Sequence, residues 1–309
     1  GQIIDPWGGR ADLAARRLRH VSDAFAEDPV RILRVARFAA RYAPLGFSVD
    51  AGTNALMQRM VRDGEAAALV AERVWKELEK ALQEPRPEVC IEVLRGCGAL
   101  RVLLPEVDAL FGVPQPEKWH PEIDTGVHAL LALRLAADAG ASLAVRFALL
   151  VHDLGKALTP RHKWPSHPGH EAAGVPLIER LCVRLRVPNE LRELALLGAR
   201  YHTHVHRAAE LRPSTVLELL ENCDAFRRPE RFAEFLQVCE FDARGRTGLE
   251  SRSYPQAARI ALALASAAAV TLGEQDRSGR DGRQIGERLR QLRLAAVTAA
   301  LSDPAAETR

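Results

Sequence analysis

The sequence predicts an all-α protein in which neck and body helices precede a helical tail domain. Ala, Leu and Arg are abundant, so helix propensity is high along most of the chain. Clusters of β-branched residues alternating with polar ones are scarce. The length of 309 residues predicts about two domains, and a content of 47% hydrophobic and 27% charged residues is ordinary for a soluble globular protein.

The opening residues, from Gly1 to Pro6, predict the end of a strand that enters a turn. We expect further chain before residue 1, because a strand without partners cannot begin a domain. The segment DPWGGRADL places two glycines between Asp5 and Asp12, which predicts a flexible hinge. An ordinary surface turn is the alternative.

The segment from Asp28 to Tyr42 predicts an amphipathic helix, with Asp28 as its cap and Pro29 at its first position. At about 100° per residue, apolar side chains fill one arc, and the opposite arc carries Arg31, Arg34, Arg37 and Arg41. A solvated face is the usual interpretation. Four arginines without interleaved acids repel one another, so we favour an exposed stripe that meets an anionic partner.

Two segments bear on organisation and location. Prolines between Phe111 and Pro121 prevent a continuous helix and predict a linker. The longest apolar run, from Ile260 to Val270, is mainly alanine and too short to cross a membrane, and no leader pattern opens the sequence. The cysteines form no C-x-x-C pair, which predicts buried, reduced thiols and a cytoplasmic location; they are Cys90, Cys97, Cys182, Cys223 and Cys239.

The strongest indication of chemistry is the run VRFALLVHDLGKAL. Residues 145–150 predict a buried helix that ends in His152 and Asp153, with Lys156 following. Burying two ionisable groups is costly unless something satisfies them, and one divalent metal can accept a lone pair from each. This pattern indicates hydrolysis at phosphorus. The alternative is a helix that ends near Gly155, with His152 and Asp153 only capping its last turn.

Several long motifs occur in one order along the chain: DPWGGRADL, EDPVRILRVARF, ERVWKELEKAL, RVLLPEVDALFGVPQPEKWHPEIDTGVH, HDLGK and FDARGRTGLES. They resemble the bacterial CCA-adding tRNA nucleotidyltransferases of the class II polymerase-β type. Within that family they look like the multifunctional CCA subgroup, whose tail contains an HD phosphohydrolase domain. The resemblance covers nearly the whole chain, and several ordered motifs are far more specific than a lone His-Asp pair.

The resemblance also implies what this sequence lacks. The family's polymerase head carries a Gly-Gly-x-Val-Arg-Asp phosphate cradle, an Asp-x-Asp pair that holds two magnesium ions, and an Arg-Arg-Asp motif. None of the three occurs here. Two-metal nucleotidyl transfer needs paired carboxylates. We therefore expect this chain to be a family member without its N-terminal catalytic head. By itself, the chain should add no CCA.

A nucleotide-selecting site is implied on the helix that follows Glu27. In the family, an E-D-x-x-R helix selects CTP and ATP, and this corresponds to Asp28 and Arg31, with Arg34 and Arg37 next along the stripe. A carboxylate accepts from the amine shared by cytosine and adenine, while a guanidinium donates to ring acceptors. The match further implies a second helix that braces the first by charge-assisted pairs, through Glu72, Arg73 and Glu77.

For the hydrolase, the resemblance implies a metal site built from several helices. Its ligands correspond to His128, His152, Asp153, His170, His202 and Asp242. His202 and His206 lie four residues apart and share a helix face, so His206 joins His170 and His202 as a candidate for a second metal or for substrate phosphate. We expect His167 and His204 to be solvated.

Catalysis is implied to rest on His152, Asp153 and Lys156. Lys156 would neutralise phosphate charge, although a cation near a helix C-terminus accounts for it equally well. Imidazole and carboxylate ligands suit nickel, manganese or cobalt better than calcium. Magnesium would serve nucleotidyl transfer in the complete enzyme.

The implied domains are a head and hinge remnant at residues 1–20, a nucleotide-selecting neck at 21–65, an RNA-binding body at 66–120, and a tail at 121–309 with an HD core at about 125–245. The implied partners are tRNA, CTP and ATP, with no membrane, and a homodimer stays open. Two other functions also stay open, an RNA-binding module with a relic HD site and a free-standing phosphohydrolase. Metal content tests the first, and the salt dependence of RNA affinity tests the second.

Overall fold

Helices dominate the computed structural model, which describes residues 3–302, and this confirms the all-α prediction. Within this range the strands are two residues long each. They are β1 (Arg17–Leu18) and β2 (Ser48–Val49), which pair in parallel with Arg17 opposite Ser48. The first 20 residues therefore contribute one strand, as part of a sheet that is only a minor feature of the fold.

The predicted strand at the opening residues is not present at residues 3–6, and Gly1 and Gln2 lie outside the described residues. Instead, Asp5 accepts hydrogen bonds from Gly9 N at 2.6 Å and Arg10 N at 3.0 Å. These bonds satisfy free N–H groups at the start of helix α1 (Gly9–Ala14). The glycine-rich segment thus leads into a short capped helix where the sequence predicted a flexible hinge.

The region predicted as neck and body contains six α-helices that pack on the apolar core: α2 (Val30–Tyr42), α3 (Ala51–Arg62), α4 (Ala71–Leu82), α5 (Pro87–Gly96), α6 (Ala99–Leu103) and α7 (Pro105–Asp108). The apolar arc predicted for α2 is buried against α4 and α5, with Ile32, Ala36 and Ala40 fully covered. Because the arc matches the helical period, the sequence defined the buried face of α2 correctly.

The predicted exposed arginine stripe of α2 is wrong at Arg37. Arg37 is 8% exposed, and its Nε donates to Glu77 Oε2 at 2.8 Å. Its Nη1 lies 3.4 Å from Oε1 of the buried Glu84, to which Arg41 also donates. Arg34 is exposed, as predicted, and Arg31 is half-buried. The acids that pair with Arg37 lie on and just beyond α4, at least 40 residues away along the chain.

Helix α4 braces α2 through charge-assisted pairs of Arg73 and Glu77, as the resemblance implied, whereas Glu72 pairs with Arg186 instead of α2. Arg73 on α4 donates to Asp28 Oδ2 at 2.7 Å, and Asp28 Oδ1 accepts from Val30 N at 3.1 Å. Arg73 holds the pKa of the Asp28 carboxyl below its usual value, so Asp28 is ionised at neutral pH. Asp28 therefore acts as a cap of α2 and as the anchor of α4.

The tail is a bundle of nine described helices: α8 (Thr125–Asp138), α9 (Leu143–Val151), α10 (His170–Leu185), α11 (Asn189–His206), α12 (Pro213–Asn222), α13 (Pro229–Arg244), α14 (Pro255–Ala268), α15 (Glu274–Arg277) and α16 (Gly282–Ser302). The predicted linker from Phe111 to Pro121 contains no helix and connects α7 with α8. The body and tail share their core, because Trp75 meets Phe147 on α9 edge to face at 5.5 Å.

Helix α9 is the centre of the tail, and its residues 145 and 147–151 are almost completely buried, as predicted. Helices α8, α11 and α13 surround it. All five cysteines are buried and free, which confirms the prediction of reduced thiols. No helix in residues 3–302 is both long and apolar enough to cross a membrane.

Candidate metal centre

His152 and Asp153 end the buried helix α9, and each is 1% exposed. His152 Nδ1 donates to Leu149 O at 2.8 Å. The chain then turns into a short 3-10 helix, Leu154–Leu158, which packs tightly on the start of α10. A Cβ on Gly155 would lie 1.9 Å from His170 O, so glycine is required for this approach. Gly155 thus brings α10 next to the His-Asp pair.

One cluster of donor atoms joins α8, α9 and α13. His128 on α8 is completely buried, and its Nε2 lies 2.9 Å from Asp242 Oδ1 on α13. His152 Nε2 lies 3.7 Å from the same oxygen and 3.2 Å from Asp153 Oδ2. His128, His152 and Asp242 can therefore offer one ligand atom each to a single ion.

A second cluster consists of Asp153, His170 and His202, and it meets the first where Asp153 contacts His152. Asp153 Oδ1 lies 3.5 Å from His170 Nε2 and 3.8 Å from His202 Nε2. The two Nε2 atoms are 3.5 Å apart. His170 Nδ1 donates to His167 O at 2.9 Å, and His202 Nδ1 donates to Gly198 O at 2.8 Å. Asp153 is thus the residue that touches both clusters.

The tautomers of these histidines fit metal ligation. A carbonyl oxygen can only accept, so Nδ1 of His152, His170 and His202 carries a proton, and Nε2 is the nitrogen of each ring that faces the centre and can bind a metal. His152 Nε2 and Asp153 Oδ1 are buried and make no hydrogen bond within the described chain. Two imidazole nitrogens at about 2.1 Å from one ion lie roughly 3.0 to 3.4 Å apart. The 3.5 Å between His170 Nε2 and His202 Nε2 is close to this value, so these residues fit a divalent metal.

The electrostatics of the centre favour added positive charge. Burial favours the neutral imidazole, but the carboxylates of Asp153 and Asp242 outweigh it and raise the pKa of His152 to about 10. Burial lowers the pKa of His202 to about 3. Burial also opposes ionisation of Asp153, yet nearby His152 and Lys156 hold its pKa well below the usual value. The potential that retains a proton on His152 is also one that attracts a metal cation.

Two further side chains orient the carboxylates. Lys156 is buried and donates to Asp153 Oδ2 at 2.7 Å and to Gln115 Oε1 at 2.5 Å. His206 lies 2.7 Å from Asp242 Oδ2 through Nε2 and 2.8 Å from the Tyr254 hydroxyl through Nδ1. Hydrogen bonds of this kind fix the direction in which a ligating carboxylate points.

A cavity of about 490 Å³ opens above the centre. This volume suits a small-molecule ligand. Its wall combines donor atoms of the centre with cations and aromatic rings, among them Trp119, Lys156, His170, His206, Arg246 and Tyr254. The arrangement can bind an anionic ligand against buried imidazoles and carboxylates.

Comparisons with known proteins agree with this architecture. The family model described as the probable RNA and SrmB-binding site of polymerase A matches residues 46–111, and the HD domain model matches residues 125–237. The multifunctional CCA proteins of Ectopseudomonas mendocina and Pseudomonas aeruginosa are each 58% identical over 299 residues. In both comparisons the match covers 97% of this chain and 73% of the relative. This chain belongs to the multifunctional CCA protein family.

Solved structures show the same fold at lower identity. A CCA-adding enzyme in complex with ATP superposes with a TM-score of 0.61 at 17% identity, over 95% of this chain and 61% of that one. The Thermotoga maritima CCA-adding enzyme complexed with tRNA gives a TM-score of 0.61 at 18% identity, over 96% and 63%. The helical architecture of this multifunctional CCA family member is therefore shared with more distant CCA-adding enzymes.

The structure brings all six implied metal ligands of this multifunctional CCA family member together in the two clusters. His204 is exposed, as expected. The expectation of a solvated His167 is wrong, because His167 is 1% exposed. Its Nε2 lies 2.7 Å from Pro114 O, so it ties the linker to the segment before α10. Sequence spacing cannot reveal burial by a segment more than 50 residues away.

Several residues near the centre were not singled out in the sequence. Gln115 holds Lys156, Arg246 lies 3.5 Å from Asp242 Oδ1, and Glu122 lies 3.0 Å from His128 Nδ1. Burial opposes ionisation of Glu122, but the neighbouring imidazoles of His120 and His128 hold its pKa below the usual value. Gln115 and Glu122 lie in or just after the proline-rich linker, where no periodic pattern marks the buried positions.

Proposed function

We propose that this chain is a metal-dependent phosphohydrolase that acts on 2′,3′-cyclic phosphates, 2′-nucleotides and other phosphomonoesters. The observation that carries the proposal is the convergence of the Nε2 atoms of His152, His170 and His202 on Asp153. Nickel, manganese or cobalt fits this donor set. The substrate class rests on the resemblance to the multifunctional CCA subgroup.

A bound divalent metal would supply Lewis-acid activation of water and of the phosphoryl group. The chain's own residues bind and orient the ester. The Lys156 ammonium lies between Asp153 and the cavity, so it neutralises charge on a phosphate there. Arg246 adds a second cation, and its guanidinium is fixed by Trp119 O at 3.1 Å and by Asp242. His206 holds the Asp242 carboxylate in place.

Hydrolysis of 2′,3′-cyclic AMP by the 309-residue chain, with nickel, manganese or cobalt added in turn, tests this function. His152→Ala and Asp153→Ala each remove a ligand, so both should abolish the activity. His204→Ala is the matched control, because His204 is exposed and lies outside both clusters. Hydrolysis at the wild-type rate by the first two variants would refute the metal site.

We further propose that, in the complete protein, the neck and body serve tRNA 3′-CCA addition from CTP and ATP with magnesium. The similarity to multifunctional CCA proteins and the match to the RNA-binding family model support this role. Asp28 and Arg34 line one small cavity with Arg73, whereas Arg31 lines a separate apolar hollow. We retain Asp28, Arg31 and Arg34 as nucleotide-selecting residues, and we propose that Arg37 supports them from within the helix pair.

The same proposal includes the domain boundaries at about residues 20, 65 and 120.

Asp28→Ala in the complete protein tests whether the neck selects the nucleotide. Loss of a base-edge contact should change the preference among CTP, ATP and UTP by roughly 1 to 3 kcal/mol, whereas loss of charge alone should weaken all three alike. Unchanged preferences would assign Asp28 a purely structural role, as cap of α2 and partner of Arg73.

A further inference from the structure

Glu122 is a buried carboxylate beneath the metal centre, and the proposed hydrolysis does not use it. Its side chain is 2% exposed. Oε1 lies 3.0 Å from His128 Nδ1 and 3.1 Å from His120 Nδ1. A buried carboxylate costs free energy unless it is paired. Its location therefore requires an explanation in terms of these two imidazoles.

The contact with Glu122 determines what His128 presents to the centre. Glu122 Oε1 lies within contact distance of His128 Nδ1, and an ionised carboxylate can only accept, so Glu122 favours the form of His128 that carries a proton on Nδ1. His128 Nε2 then faces Asp242 Oδ1, at 2.9 Å. The other three histidines of the clusters use backbone carbonyls for the same purpose. Among the described ligands of this centre, His128 has a carboxylate in that position at 3.0 Å, whereas His170 Nδ1 contacts a carbonyl at 2.9 Å and has the Glu171 carboxylate farther away, at 3.4 Å.

The linker places Glu122 at this point by an ordered path. Gln115 N donates to Ile123 O at 2.6 Å, and Thr125 N donates to Val113 O at 3.0 Å. His120 packs edge to face on His128 with ring centroids 4.7 Å apart, and it holds Glu122 from the other side. The linker thus packs over the N-terminal end of α8 and places Glu122 against Nδ1 of His128.

We infer that Glu122 is a positioning residue of the metal centre, with His120 as its support. A carboxylate behind a ligating imidazole fixes the tautomer and ring orientation and makes the facing nitrogen a stronger donor. The inference rests on the proposed metal centre. If Glu122 has this role, the linker between body and tail helps to position a ligand of that centre.

The test measures metal affinity, which does not depend on any assumed substrate. Metal-free chain is titrated with nickel or manganese by calorimetry, for wild type and Glu122→Gln. The glutamine keeps the size of the side chain and removes its charge, so we expect binding weaker by about 10- to 100-fold. Glu117→Gln is the matched control, because Glu117 is an exposed acid on the same linker and should leave the affinity unchanged.

The outcomes separate this inference from the proposed function. Wild type that binds no metal refutes the centre as a whole. Glu122→Gln with wild-type affinity refutes only the role of Glu122. Loss of one bound ion with unchanged affinity for the rest would show that Glu122 ligates directly, which also overturns positioning.

A second variant covers the case in which Glu122→Gln does not fold. Glu122→Asp keeps the buried charge but withdraws it from His128 by one methylene. We expect this variant to fold and to bind metal more weakly than wild type. Wild-type affinity in Glu122→Asp would overturn the inference.

Discussion

His170 Nε2 lies 3.5 Å from His202 Nε2, and each ring turns its Nε2 toward the other because its Nδ1 donates to a backbone carbonyl. Two facing lone pairs repel each other unless a cation lies between them. Asp153 Oδ1 is within 3.8 Å of both nitrogens and belongs to the same group of donor atoms. Asp153 thus connects the turn at the end of α9 with α10 and α11.

Asp153 should matter more for metal binding than either of these histidines, because it contacts both donor clusters. Asp153→Asn should weaken the binding of every ion, whereas His202→Ala should affect only the cluster formed with His170. Calorimetric titration of metal-free protein measures both the affinity and the number of ions. Equal losses in the two variants would show that the clusters do not bind separately.

Arg37→Ala should destabilise the neck strongly. It leaves Glu77 and Glu84 partly or fully buried without their shared cation, at a cost of about 3 to 5 kcal/mol. Arg34→Ala on the exposed side of the same helix should change the free energy of unfolding by no more than about 0.5 kcal/mol. Urea denaturation followed by circular dichroism compares the two. A similar, small effect for both would argue that Arg37 is not a structural partner of α4.

The cysteines should be unreactive in the folded chain. Burial raises the pKa of Cys90, Cys182 and Cys223 to about 12, so all three remain thiols at pH 8. We expect negligible reaction with a disulfide reagent under native conditions and reaction of all five thiols in denaturant. Fast labelling of the native chain would reveal local opening of the core.

The isolated chain should add no CCA to tRNA, because its sequence contains none of the family's three head motifs. The assay supplies tRNA that lacks its 3′ end, labelled CTP and magnesium. The same preparation should still hydrolyse 2′,3′-cyclic AMP, which serves as the control for folded protein. Measurable incorporation of label would contradict the role assigned to the missing motifs.

The sequence by itself determined the fold class, the buried arc of α2, the buried helix α9 and the ionisable pair at its end. These features depend on local periodicity, on helix capping and on the cost of burying charge, and each can be evaluated from residues that are neighbours in the sequence. The wider ligand set came from the resemblance of ordered motifs. Local periodicity shows which residues share a helix face, and the resemblance indicates which residues belong to one site.

Only the tertiary structure decided which of the polar residues are buried and what they contact. Arg37 is covered because two acids from the α4 region face it, and His167 and Glu122 are covered because the linker folds back over the tail. The sequence predicted an exposed Arg37 and a solvated His167, and it did not single out Glu122. Contacts between segments 40 or more residues apart have no periodic signal, since they depend on how helices pack after their faces are set.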